Sequence, residues 1–120
     1  MISHKLLGTN EWFVIHHTNC GMETFSDEIM STLLDDNLAT ANFDDKAWSN
    51  PKHGGGSVWG HFINWHTIKD QPKSVLADVI RIRTHPLVPG NIPIYGFVYD
   101  VATGRLNEME EASAAGRPTA

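Results

Sequence analysis

The sequence predicts an α/β fold in which parallel strands are joined through crossover helices. Two features point there. Two apolar runs rich in β-branched and aromatic residues, 12–15 and 94–101, lie far apart in the chain. Between them stand two segments whose apolar residues recur at helical spacing. Strands separated by helices read as a parallel pair with a right-handed crossover.

The elements follow in order. Trp12, Phe13, Val14 and Ile15 form a short strand that ends in a polar turn from His16 to Gly21. Thr24 with Asp27 has capping-box spacing, and Asp27 and Glu28 suit the positive end of a helix. Ile29, Met30, Leu33 and Leu34 give that helix one apolar face, and Asp35, Asp36 and Asn37 end it. Residues 42–68 carry turn signals at Asn50-Pro51 and Gly54 to Gly56. Trp48, Trp59, Phe62, Ile63 and Trp65 make the stretch too apolar for a free linker, so it is expected to be a long ordered loop packed by its aromatics. Asp70 caps the next helix, with Pro72 in its first turn. Val75, Val79 and Ile82, flanked by Leu76 and Ile80, form its buried stripe, and Arg81 and Arg83 are assigned to a solvated face. Pro86 stops the helix near His85. A loop marked by Pro89, Gly90 and Pro93 leads to the strand 94–101, and Thr103-Gly104 turns the chain. From about residue 108 the sequence is polar and small, and fraying is expected.

The 120 residues are expected to form a single domain, 1–120. Two strands make a narrow sheet, and parallel sheets are normally wider and covered on both faces. The sequence therefore predicts that more chain or a partner subunit completes the fold. The net charge of −5 gives no basic field, which argues against nucleic acid or an anionic membrane surface as partner. The single cysteine, Cys20, makes no intrachain disulfide and points to a reducing compartment. No signal-peptide pattern and no bilayer-length apolar window occur, so a cytoplasmic location is expected.

His17 and Cys20 carry the chemistry. They follow a strand directly, and ligand sites of parallel α/β sheets gather at the carboxyl ends of strands. Imidazole and thiolate are both zinc donors, and a turn lets side chains three apart converge on one ion. On spacing alone the commoner arrangement is an inert buried cysteine beside a histidine bonded to backbone, since zinc sites take three or four protein ligands.

The segment His17-Thr18-Asn19-Cys20-Gly21-Met22, following an apolar strand, resembles the H-x-x-C-G-M segment of β-class carbonic anhydrases. Further matches run in order through 6–12, 74–83, 85–89, 92–97 and 99–106. The resemblance covers residues 5–108, loosest over 45–68, and has the flavour of the small microbial members, a group that includes carbonyl sulfide and carbon disulfide hydrolases. It implies a mixed, mostly parallel α/β sheet and a dimer of embracing subunits. It implies His17 and Cys20 as zinc ligands, with Gly21 letting the backbone pass close to the metal. The implied chemistry is that of a carbon–oxygen lyase, reversible hydration of CO2 to bicarbonate by zinc-bound hydroxide, with carbonyl sulfide or carbon disulfide hydrolysis as the sulfur variant.

One departure shapes these expectations. The family takes its third ligand from an upstream C-x-D-x-R segment, whose Asp-Arg pair gates the fourth zinc position. The 120 residues contain no such segment. What is expected is a partial fold, truncated at its amino end and lacking the first strand, with no catalytic Asp-Arg pair and feeble activity on its own. The alternative class is a non-catalytic remnant or an interaction module that binds a full-length homologue. His53, His61 and His66 are candidate substitute ligands, set against a reading as solvated loop histidines. His16 is expected to face away from His17. Gly54 to Gly56 read as a flexible turn, and Trp48, Trp59 and Trp65 as cover for a core or dimer surface.

Overall fold

The structure is a computed structural model that describes residues 1–119. In chain order its elements are α1 (Ile2–Leu7), β1 (Trp12–His17), α2 (Asp27–Asp36), β2 (Asn42–Phe43), β3 (Trp48–Ser49), α3 (Gln71–Arg83), β4 (Ile94–Asp100), β5 (Arg105–Glu108) and α4 (Glu110–Ala115). Contacts divide the chain into two compact units, one built from Met1–Asn19 with Asp70 onward and the other from Cys20–Lys69. The chain between β1 and α3 packs mainly on itself.

In the first unit β1 and β4 pair in parallel, from Trp12 opposite Ile94 to His17 opposite Tyr99, as the two apolar runs predict. A third strand, β5, joins β4 antiparallel, giving the order β1-β4-β5. The turn that makes this hairpin is set by Asp100, whose Oδ1 accepts from the backbone N–H groups of Ala102 and Thr103. Gly104 sits there at φ 73°, where a β-carbon is unfavourable.

Helix α3 forms where its cap and stripe predict. The Asp70 side chain accepts from the Lys73 N–H, and Val75 and Val79 are fully buried against Ile94 and Val98. Fraying is expected from about residue 108, where the sequence turns polar and small. The chain there forms α4, and Ala112 is fully buried in the same core. The physical reason is a close approach. A β-carbon at Gly96 would stand 2.5 Å from Ala112 Cβ and 2.7 Å from Val75 Cγ1, so a glycine strand position and an alanine helix fit where larger residues could not. Backbone bonds from Met109 N to Gly96 O (2.8 Å) and from Ile94 N to Gly116 O (2.9 Å) fasten both ends of α4 to β4.

Arg83 is a correction. It is not on a solvated face. Its guanidinium is partly buried and donates to the carbonyls of Pro89, Gly90, Ile92 and Gly116. The loop after α3 turns back with carbonyls that no strand pairs, and the planar five-donor fork of arginine satisfies them together. Arg81 does lie on the exposed face, 3.3 Å from Asp78.

The helices cover one side of this sheet only. On the other, Phe13 and Ile15 are 53% and 52% exposed. Phe13 stacks on Tyr95 and Phe97 at 5.2 and 5.8 Å between ring centres. Ile2, Leu6 and Leu7 of α1 are exposed as well. β1 is an edge strand of the sheet.

In the second unit α2 is capped by Ser26, not by Thr24: Ser26 Oγ accepts from Ile29 N at 3.2 Å. Thr24 instead donates to Gly21 O at 2.7 Å and closes a 3-10 turn, Gly21–Glu23. Ser26 holds the extended backbone a cap requires, whereas Thr24 is helical. The stretch 42–68 is ordered, as expected, but holds a small β2–β3 hairpin and a 3-10 turn, Val58–Phe62. Its aromatics do less of the packing than expected. Phe43 and Trp48 pack ring on ring at 4.8 Å, but Trp59 and Phe62 are 74% and 77% exposed. Glycine backbone takes their place. A β-carbon at Gly56 would fall 2.0 Å from Asp35 O, and Gly60 O accepts from the Ser31 hydroxyl (3.0 Å) and Trp65 Nε1 (3.1 Å). Among the described residues no helix is long and apolar enough to cross a membrane.

Candidate functional site

The carboxyl end of β1 places the first candidate. Strand alternation turns His16 toward α3 and His17 to the exposed side, as the sequence predicts. The His17 ring Nδ1 lies 2.9 Å from Thr18 O. A carbonyl only accepts, so Nδ1 donates there, and the neutral ring keeps its lone pair on Nε2. That is how a metal-binding histidine is ordinarily oriented, with one nitrogen tied to an oxygen and the other free. Thr18 is itself tied to β4: its N–H donates to Tyr99 O at 2.9 Å, and its hydroxyl oxygen accepts from Val101 N at 3.1 Å.

His16 forms a network that the sequence did not reveal. Its Nδ1 is 3.0 Å from Gln71 Oε1 and its Nε2 is 3.0 Å from Asp78 Oδ2. Gln71 Nε2 also donates to His17 O at 2.8 Å. Gln71 and Asp78 stand seven positions apart on α3, two turns along one face. Such a polar pair beside an apolar stripe was the one sequence signal available for them.

Cys20, the second candidate, opens the second unit. It is half-buried and extended (φ −77°, ψ 132°), and its carbonyl accepts from Glu23 N at 3.0 Å. Thr18 and Asn19 separate it from His17 in sequence, and Asn19 has the left-handed φ of 52° that turns chains sharply. At Gly21 a β-carbon would meet no atom within 4 Å, so the chain itself sets no steric demand for glycine there.

Two of the three loop histidines pair with carboxylates through their rings, and His66 is bonded through its backbone only. His53 lies 3.0 Å from Asp36 and His61 lies 3.5 Å from Asp35, and the His66 N–H donates to Asn64 Oδ1. His4 and His85 make local bonds, to Thr9 O and from Leu87 N. Among the described residues no three His, Cys, Asp or Glu side chains come together in a way that could hold a metal ion. His17 Nε2 and the Cys20 sulfur fit zinc as donors one by one. They do not amount to a full ligand set.

Three carboxylates of the second unit titrate below the ordinary value, Asp44 among them through the backbone N–H groups of Ala47 and Lys46. The Thr67 hydroxyl on Asp27, with the Trp65 and Thr67 N–H groups and the Lys69 charge, holds Asp27 below the ordinary 3.8. Asn50, then His53, do the same for Asp36. A carboxylate lowered in the folded state stabilises it above 3.8 and loses that contribution as pH falls through its folded value. The expected result is that α2 loses some protection on acidification below about 3.8 and that Asp27→Asn flattens this dependence, read by hydrogen exchange of α2 against pH. An unchanged profile in the variant would remove Asp27 from the acid response.

No protein-family model matches the chain. β-Carbonic anhydrase 1 of Mycobacterium tuberculosis is 33% identical over 108 residues, which cover 90% of this chain and 55% of the relative. Carbon disulfide hydrolase of Acidithiobacillus thiooxidans is 29% identical over 110 residues, 88% of this chain and 53% of the relative. The solved carbonic anhydrase of Streptococcus mutans matches in fold with a TM-score of 0.67 at 32% identity, over 90% of this chain and 54% of that one. The chain spans about half the length of the curated relatives it matches.

Proposed function

Since the chain belongs to the β-class carbonic anhydrase family over the part of the fold it spans, we propose that it carries two protein ligands of a zinc centre, His17 and Cys20, and that the centre serves reversible hydration of CO2. The supporting observation is the His17 ring, tied at Nδ1 to Thr18 O and free at Nε2, at the carboxyl end of a parallel strand. Cys20 lies close enough along the chain to reach the same ion, since three residues span at most about 10 Å. In this reading the third ligand comes from a group outside these 120 residues, and the chain by itself is a poor enzyme. When bound, zinc supplies a Lewis acid able to lower the pKa of a water to about 7. The chain's own contribution is to hold the His17 imidazole in one tautomer on a rigid strand end and to supply the Cys20 sulfur three residues further along the chain.

Carbon disulfide hydrolysis is the second reading, favoured by the relatives of that name that match over nearly the same stretch. The open aromatic face of the sheet and the free edge of β1 support a further reading, association with another chain. A monodisperse monomer in sedimentation would argue against that association.

Elemental analysis of purified chain after dialysis against a weak chelator tests the metal reading. Zinc well below one per chain is expected, abolished by His17→Ala, with no CO2 or carbon disulfide turnover above buffer. Equal zinc in both proteins would overturn the ligand assignment. Stoichiometric zinc with turnover would overturn the outside origin of the third ligand.

A further inference from the structure

We propose that Gln71, backed by His16 and Asp78, is a positioning residue for His17, holding the peptide group from which the metal-binding ring hangs. This inference rests on the zinc reading above, and it adds residues that no ligand pattern contains. Both polar ends of the His17–Thr18 peptide group are held. Its carbonyl accepts from Gln71 Nε2 at 2.8 Å, and its N–H donates to Tyr99 O at 2.9 Å. One anchor comes from α3 and the other from β4, on opposite sides of the strand end.

The orientation of the Gln71 amide is forced by its neighbours. His17 O can only accept, so the amide nitrogen faces it and Oε1 faces His16. Oε1 can only accept, so His16 Nδ1 donates. On its other side His16 Nε2 lies 3.0 Å from Asp78 Oδ2. The His16 ring, with a side chain only 15% exposed, is thus held between Gln71 and Asp78 and fixes Gln71 from behind. Arg81 lies 3.3 Å from the other oxygen of Asp78 and holds that side chain in place. Every member is either on α3, a helix fixed by its buried valines, or on β1, whose register is fixed by β4. The Gln71 amide thus transmits the rigidity of the core to the backbone of a surface residue. Outer partners that orient a ligand commonly contribute 10- to 100-fold to metal affinity, on the order of a second hydrogen bond to the ligand itself.

The test compares the intact chain with Gln71→Met, which removes both amide functions, and with Gln71→Glu, which keeps an acceptor for His16 and removes the donor to His17. Without metal, imidazole nitrogen NMR at a pH where the His17 ring is neutral should show a single Nδ1–H tautomer in the parent and a mixture in both variants. The Thr18 amide should exchange at least about 10-fold faster in the variants, while the Val79 amide at the centre of α3 stays unchanged. A role limited to helix stability would move Val79 and leave the His17 ring alone, and that result would overturn the proposal. An unchanged ring and an unchanged Thr18 amide would overturn it as well. With zinc(II) alone, competed against a chromophoric chelator, Gln71→Met should bind about 10-fold more weakly. Equal affinity would overturn the role toward the metal. A parent that binds no zinc, in a sample whose ring and Thr18 signals respond to the variants as expected, would uphold the positioning of His17 and overturn the zinc reading.

Discussion

Changing Cys20 to Ser is expected to weaken zinc binding by more than about 100-fold, because loss of outer-shell partners alone already costs 10- to 100-fold. A thiol gives up its proton to zinc near neutral pH, whereas a serine hydroxyl does not. The substitution is a clean one. Cys20 is the only cysteine, so no other thiol can take over. It leads a 3-10 turn to which its side chain contributes no capping bond, so Ser replaces it with little disturbance of the turn. The measurement is a chelator competition on parent and variant, with circular dichroism to show that both are folded. Affinity within about threefold of the parent would remove Cys20 from the site, since even an outer-shell partner contributes more than that.

Replacing Arg83 with Met is expected to cost the first unit about 2–4 kcal/mol of stability, from hydrogen bonds to a charged group worth about 1.5–3 kcal/mol and from the Ile92 carbonyl, which loses its donor. The guanidinium joins Pro89, Gly90 and Ile92 of the loop to Gly116, which itself accepts from Ile94 N. Without it, the end of α4 and the entrance to β4 lose a shared anchor. Lysine at the same place should recover only part of the loss, since a compact ammonium cannot span carbonyls spread around a planar fork. Urea unfolding with an unchanged slope is the measurement, and a midpoint within error of the parent in Arg83→Met would show that water replaces the guanidinium without penalty.

The parts of the fold legible in the sequence were those with periodic apolar residues and a local signal at their ends. β1, α3 and β4 qualify, and Asp70 caps α3 where it is expected. α4 did not, because Glu110 to Ala115 carry no large apolar residue. Its burial depends on Gly96, a contact between two small residues that hydrophobicity cannot signal. Arg83 was misread for a similar reason: its partners are backbone carbonyls of a loop, and loop carbonyls leave no mark on side-chain pattern. At the site, alternation along β1 was enough to turn His16 and His17 apart. The partners of His16 lie 55 and 62 residues away, so their meeting is a property of the fold.

The first unit is discontinuous: the chain leaves it after Asn19 and returns at Asp70. During synthesis this order has a cost. Cys20–Lys69 is contiguous and can fold as soon as it clears the ribosome. β1 is made early but pairs with β4, so Trp12 waits for Ile94 to be translated. At about 5–20 residues per second the wait is several seconds, during which an apolar edge strand has no partner. Nascent chains should therefore be most prone to chaperone capture and aggregation in the interval between β1 and β4, and slowing translation there should lower the yield of folded protein.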